Sequence, residues 1–282
     1  MNILVVRNFI FLIVIAAFFM AFILLIDGMF IANAEGALVS DIRYTSVGDD
    51  LISTSDIVAY ADKQTNDFSL AAKIPAYYYE NALNVCVPVA AGNIVAYFDR
   101  YNTELIADYT PGSGIGNIYF YKSASGTEIN NMFAQLCQDM GTNVAGAGNT
   151  VTEFKSGLEK YCTRAGYNAG YVKCTDGNDF DYDKVKSYLQ ANKYPVIIFV
   201  QSFSICSIGE SGGSDSYNIL SGRSNHVMSV FGYVEITYEI KDGSIKHVNF
   251  LQVATGLKDM PEAYLIVDDS LHVTDAYAIH IE

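Results

Sequence analysis

Cys86 has the residue type and the local setting of a catalytic nucleophile. It lies two residues before Pro88, and proline is favoured in the first turn of a helix because its missing N–H costs nothing there. Apolar residues then recur at spacings of three and four, which predicts a buried helix as far as Phe98. The unpaired amides and the positive helix end favour a thiolate. An unreactive thiol in the core is the competing interpretation.

His226 is the candidate base for this cysteine. It begins an apolar run, directly after a stretch rich in glycine and serine, whereas the other three histidines lie within or beside late strands: His247, His272 and His280. An imidazole at the mouth of a sheet can take the proton of a thiol at a helix tip, giving a thiolate–imidazolium pair. A surface histidine at a strand end is the competing interpretation.

The elements that must position this pair are predicted from hydrophobic periodicity. Helices are expected over residues 128–140, 151–165 and 181–192, and strands over residues 171–174, 196–200, 226–240, 245–254, 263–268 and 276–281. Residues 202–225 break all periodicity, which predicts a long loop that is either functional or disordered. Helices followed by an antiparallel meander indicate the α+β class.

The N-terminal residues carry the pattern of an export signal. Residues 9–26 are uninterruptedly apolar, and Ala32-Asn33-Ala34 has the small-x-small form of a cleavage site. We therefore predict a signal peptide over residues 1–34, with an uncleaved signal-anchor, and hence a membrane-tethered protein, as the minority interpretation. Residues 35–74 are interpreted as a polar N-terminal extension, and the question of whether it blocks the site is left open. The expected location is secreted.

The charge and the cysteines exclude several classes of partner. The formal net charge is -14 at pH 7, which argues against nucleic acid and, after leader cleavage, against a membrane. No Cys-x-x-Cys pair occurs among the five cysteines, so neither a metal nor a cofactor is predicted. An odd count leaves at least one thiol free. A bridge between Cys162 and Cys174 and a set of independent thiols, including Cys137 and Cys206, both remain open, as does the oligomeric state.

Three stretches resemble papain-like cysteine peptidases. NVCVPVAAGNIVAYFDRY resembles their nucleophile helix and HVMSVFGY their histidine strand. QDMGTNVAGAGNTVTEFKSGLEKYCTRAGY is similar to a bacterial exported branch, related to the bacteriocin-leader-processing (double-glycine type) and streptopain-like peptidases. The resemblance covers residues 73–282. It implies a papain-like α+β fold over residues 75–282, in which a helical part with the nucleophile helix packs on an antiparallel β-sheet.

The resemblance also implies an activity and its residues. Peptide or protein substrates would be hydrolysed through an acyl-enzyme on Cys86, with His226 as base and then acid. Glu80 occupies the position where the family has its oxyanion glutamine, so Asn81 and Asn84 are the expected amide donors instead. Thr255 is the expected residue that orients His226, and the alternatives are Asp259, Asp268 and Asp269.

Two other functions compete with the peptidase. The first is a catalytically inactive papain-like domain that binds peptides or cell-wall material, favoured by the carboxylate of Glu80 at the oxyanion position. The second is another Cys-His acyl-transfer enzyme, such as an amidase. The long separation of Cys86 and His226, with three predicted helices and a strand between them, favours the peptidase over this second alternative.

Overall fold

The computed structural model describes residues 42–45, 51–71, 73–109, 121–123, 125–177 and 179–282. Residues 43–282 belong to one compact unit. The predicted signal peptide, residues 1–34, lies outside the described residues. In the described part of the chain, no helix has both the length and the apolar character needed to cross a membrane.

Strands outnumber helices over the described residues. The helices are α1 (Cys86–Asp99), α2 (Thr127–Met140), α3 (Val151–Arg164) and α4 (Tyr182–Ser187), the last continued by a π-helical turn (Tyr188–Asn192). The strands are β1 (Ile52–Ser69), β2 (Ala169–Lys173), β3 (Thr175–Asp176), β4 (Asp179–Phe180), β5 (Val196–Ser211), β6 (Ser214–Gly222), β7 (His226–Ile240), β8 (Ile245–Ala254), β9 (Glu262–Val267) and β10 (His272–Ile281).

Six of the strands are joined by antiparallel pairing into a closed ring. The first half of β1 pairs with β6 and the second half with β7. The ring continues through β8 and β9, and β9 meets β5 at Ile205–Leu265 and Cys206–Tyr264 before β5 pairs with β6. The buried side chains inside it are Val58, Cys206, Tyr217, Val234, Ile236, Tyr238 and Phe250. Burial of this apolar surface stabilises the ring.

The sheet extends beyond the ring and carries the helices. Residues 196–200 of β5 pair with residues 226–230 of β7 along one edge and with β10 along the other, and β10 pairs with β2. α1 packs against β7 and β10, and α2 and α3 pack against α1. Every residue of α1 is buried, because it lies between the sheet and these two helices.

The predicted helices before residue 165 are confirmed, because their ends are specified locally. Thr150 caps α3 in a capping box: its hydroxyl accepts from the Glu153 amide, and the Glu153 carboxylate accepts from the Thr150 amide. α2 ends at Gly141, whose φ of 64° is the left-handed conformation that glycine adopts without strain.

The predicted papain-like α+β fold is wrong. Over the described residues, 43% are in strands and 24% in helices, and the dominant feature is an eight-stranded antiparallel sheet rather than a helical part packed on a sheet. Two segments account for the difference. Residues 52–69, within the expected polar extension, form the long strand β1, and most of the expected loop 202–225 forms a β5–β6 hairpin.

Candidate active site

Cys86 is the first residue of α1, as its position before Pro88 predicts. The thiol lies among backbone amides of Cys86, Val87 and Val227. Burial raises the pKa of the Cys86 thiol to about 12, although these three amides act in the opposite direction. The side chain therefore carries its proton at neutral pH.

His226 is the first residue of β7 and is 1% exposed. Its Nε2 lies 2.8 Å from the Thr255 carbonyl oxygen, and its ring stacks on Phe203 at a centroid distance of 5.4 Å. Because a carbonyl only accepts, Nε2 carries the ring proton of the neutral imidazole and Nδ1 presents a lone pair. Nδ1 is buried and has no hydrogen-bond partner among the described residues.

Burial also sets the protonation state of this histidine. It lowers the pKa of His226 to about 4, although the carbonyls of Thr255 and Thr45 act to raise it. At pH 7 the imidazole is neutral. The candidate site therefore contains a neutral thiol and a neutral imidazole, whose Nδ1 makes no hydrogen bond with the described residues although the Thr45 carbonyl lies near the ring.

The structure brings Cys86 and His226 together in one pocket of about 240 Å³. The other lining residues are Tyr78, Tyr79, Glu80, Ala82, Leu83, Val85, Val89, Gly256, Leu257 and Lys258. A hydrogen bond between their elements fixes the approach, since the Ser229 hydroxyl of β7 donates to the Ala90 carbonyl of α1 at 2.8 Å. The amide of Val227 beside the Cys86 thiol shows the same proximity from the strand.

Two chain segments form the walls of the pocket. The first contains Tyr78 and Tyr79 and is held by Asn93 of α1, whose side chain accepts from the Tyr77 amide at 2.9 Å and donates to the Tyr77 carbonyl at 3.3 Å. The second is the turn after β8, where Gly256 has a φ of +73° and approaches Val89. This close approach explains why the position carries no side chain.

An ion pair joins these walls. Lys258 Nζ lies 2.7 Å from Glu80 Oε1, and both side chains are more than half exposed. The carboxylate that stands at the expected oxyanion position is therefore compensated by a cation. Sequence reasoning missed Lys258, since a lysine in a turn carries no signal of its partner.

The expected oxyanion donors lie elsewhere. Asn81 Nδ2 donates to the Asn130 side chain at 3.2 Å, and Asn84 Nδ2 donates to the Asn143 side chain at 3.1 Å. Neither is among the described residues that line the pocket. The backbone amides of Cys86 and Val87 lie beside the sulfur instead.

Thr255 contacts His226, but through its backbone carbonyl rather than its side chain. The Thr255 hydroxyl donates to the Met260 carbonyl at 2.5 Å and accepts from the Leu257 amide at 3.0 Å. The side chain therefore fixes the turn that presents the carbonyl. The aspartates proposed as alternatives are exposed, and none of them contacts His226 within the described residues: Asp259, Asp268 and Asp269.

The remaining cysteines are separate from this pocket. All five cysteines are free thiols, so Cys162 and Cys174 are not bridged. Within the described part of the chain, no group of three or more His, Cys, Asp or Glu side chains is placed to hold a metal ion.

Comparisons of the chain with protein families, curated proteins and solved structures find no match. The resemblance of the Cys86 and His226 segments to papain-like peptidases therefore stays a prediction from the residues. What the structure shows of the site is that Cys86 and His226 are both buried and line one small pocket.

Proposed function

We propose that this protein is a secreted cysteine hydrolase that cleaves peptide bonds in the Cys86 pocket, with residues 1–34 as its signal peptide. The observation that carries the proposal is the shared pocket of Cys86 and His226, in which Nε2 is held by the Thr255 carbonyl and Nδ1 has no hydrogen-bond partner among the described residues. A fixed tautomer with an available lone pair is what a general base needs.

The reaction balances with these two side chains and water. Cys86 Sγ attacks the carbonyl carbon of the substrate while its proton passes to His226 Nδ1, and the amides of Cys86 and Val87 stabilise the negative oxygen. The C–N bond breaks as Nδ1 returns the proton to the leaving nitrogen, which leaves a thioester. Water attacks the thioester, Nδ1 takes its proton, and the C–S bond breaks to release the acid and the thiol.

A peptide library and a peptide vinyl sulfone test this proposal in the purified protein. We expect hydrolysis in the wild type and a loss of about a thousandfold or more in Cys86→Ala and in His226→Gln, because nucleophile and base act as one unit. The vinyl sulfone should add to Cys86, by mass spectrometry, only when His226 is intact. Cys206→Ala, which removes another buried thiol, is the matched control and should leave both readouts unchanged.

Hydrolysis that survives in Cys86→Ala, or an adduct that forms equally in His226→Gln, would overturn the assignment.

A second function is favoured by one observation: burial raises the pKa of Cys86 to about 12 and lowers that of His226 to about 4, so the pair lacks the charges of an activated thiolate. In that case the pocket binds peptides without turnover. Saturable peptide binding with no hydrolysis by the wild type would identify it.

A further inference from the structure

Two of the most exposed large apolar side chains among the described residues lie on adjoining loops, one of which lines the candidate active site. Leu83 is 79% exposed and Val144 is 83% exposed. Leu83 also lines the Cys86 pocket. We call these two residues the apolar rim. An exposed apolar pair at the edge of a pocket marks a binding surface more often than an isolated exposed side chain does.

The loops that carry the rim are fixed to each other by asparagine side chains. Asn84 Nδ2 donates to Asn143 Oδ1 at 3.1 Å, and Asn143 Nδ2 donates to the Leu83 carbonyl at 2.9 Å. Each asparagine is adjacent in sequence to one rim residue. The loop that carries Val144 is therefore fixed to the loop of Leu83, which lines the pocket.

The backbone at both asparagines is in an unfavourable region. Asn84 has a φ of 58° and Asn143 a φ of 63°. The left-handed region costs residues with a side chain about 1–2 kcal/mol, although asparagine tolerates it best among them. Strain of this kind persists where the surroundings enforce it and is common at binding sites. Here the two strained positions directly follow Leu83 and precede Val144, both of which are exposed.

The charged residues of the pocket indicate what kind of ligand group can bind there. The charged residues lining it are Glu80 and Lys258, and they neutralise each other at 2.7 Å. A pocket of about 240 Å³ holds little more than the reacting part of a peptide. A neighbouring side chain of such a peptide would extend past the pocket edge at Leu83, where an uncharged aliphatic group loses the most water-exposed area.

We propose that the apolar rim binds a large aliphatic side chain of the peptide whose carbonyl enters the Cys86 pocket. The inference rests on the proposed peptidase function and adds a substrate class to it. Substrates would be peptides with Leu, Ile or Met close to the cleaved bond, and the same residue would dominate their affinity.

Peptides that differ only in one side chain, Leu or Ser, at each position around the cleaved bond test the rim. For the position that occupies it, we expect kcat/KM for the Leu peptide to fall about tenfold in Leu83→Ser and in Val144→Ser, with the Ser peptide unchanged. Ile57→Ser is the matched control, since Ile57 is 70% exposed on β1 and outside the pocket. Equal effects of Leu83→Ser and Ile57→Ser would overturn the proposal.

Binding of the same peptides to Cys86→Ala separates this inference from the proposed function. Tighter binding of the Leu peptide that is lost in Cys86→Ala/Leu83→Ser supports the rim even if the wild type hydrolyses nothing. Equal binding of the Leu and Ser peptides at every position overturns the rim even if hydrolysis is present. Sedimentation with zwitterionic phosphatidylcholine vesicles that disappears in Leu83→Ser would also overturn it, because the rim would then be a membrane contact.

Discussion

At Cys86 and His226, burial shifts the side-chain pKa values more than the neighbouring polar groups that favour the charged forms. Amides beside the thiol and carbonyls beside the imidazole both favour the ionised forms, but the pKa of the thiol is raised to about 12 and that of the imidazole is lowered to about 4. The thiolate–imidazolium pair predicted from the sequence is therefore not the resting state. Proton transfer then accompanies attack on the substrate, and the activity should not require a preformed thiolate.

The pH dependence of stability reports the buried histidine. Above pH 6.5 the imidazole is neutral in both states, and as the pH falls toward 4 the unfolded chain binds a proton that the folded chain resists. The free energy of unfolding should therefore decrease by about 3 kcal/mol across this window. Urea titrations at pH 7 and at pH 4 measure it.

The control for this prediction is His226→Gln, which should lose the histidine contribution. The comparison with the variant is needed because burial raises the pKa of Asp99 to about 6. A folded-state pKa raised above 3.8 makes Asp99 favour folding at low pH, which is the opposite sign. An identical pH dependence in wild type and His226→Gln would contradict the buried neutral state.

Gly256 offers a second test at the level of one residue. In Gly256→Ala, the left-handed backbone costs about 1–2 kcal/mol. The new Cβ would lie 3.1 Å from Val89 Cγ1 at the pocket wall. Gly243→Ala is the matched control, because its φ is +85° and a Cβ there meets nothing within 4 Å. Both variants should lose stability in urea titrations, and only Gly256→Ala should lower kcat/KM. A similar loss of activity in both variants would contradict a specific role of Gly256 in shaping the pocket wall.

Between elements, a hydrogen bond of 2.8 Å links β7 to the first turns of α1. Ser229→Ala removes the bond to the Ala90 carbonyl, so we expect a loss of about 1 kcal/mol in unfolding free energy. Because the same bond aligns α1 with β7, kcat should fall while KM for peptides changes little. Ser204→Ala, which removes a 2.8 Å bond to Ser221 between β5 and β6, should cost similar stability without changing kcat. Unchanged kcat in Ser229→Ala would contradict the alignment.

Elements with local signals were predictable, and those held by distant partners were not. The capping box at Thr150 and the glycine after α2 specify helix ends within a few residues of sequence. The β5–β6 hairpin was missed because its serines and glycines suggest a loop. Its signal was the pair Gly212-Gly213, flanked on each strand by apolar residues two apart that face the ring core, Cys206 and Ile208 on β5 and Tyr217 and Ile219 on β6.

β1 shows the limit of periodicity in this chain. Of its residues only Val58 is buried, so its sequence carries almost no alternating pattern, and the strand is defined by pairing with β6 and β7. The same limit applies to the site. Cys86 and His226 are recognisable by residue type and position, whereas the Thr255 carbonyl and the Glu80–Lys258 pair follow from the tertiary structure.

Over the whole molecule, the closed ring and the helical layer meet along β5 and β7. Both strands contribute to the ring core, β7 packs against α1, and residues 196–200 of β5 lie between β7 and β10, the two strands that α1 contacts. His226 lies at the beginning of β7, on the part that pairs with residues 196–200 of β5, while the later part of β7 pairs with β1. The part of β7 that pairs with β1 in the ring is therefore separate from the part that carries His226, and damage to the far end of the ring should change stability and leave the chemistry intact.

Lys63 at that far end allows a matched test, because it pairs with one buried and one exposed carboxylate. Its Nζ lies 2.8 Å from Asp215, which is fully buried and also accepts from Tyr238, and 3.4 Å from Glu210, whose side chain is 67% exposed. Asp215→Asn should cost about 3 kcal/mol in unfolding free energy, because the Lys63 ammonium and the buried Tyr238 hydroxyl lose their charged acceptor. Glu210→Gln should cost less than about 1 kcal/mol. Peptide hydrolysis per folded molecule should be unchanged in both variants. If urea titrations gave the same loss of unfolding free energy for Asp215→Asn and Glu210→Gln, the larger contribution of the buried Lys63–Asp215 pair would be contradicted.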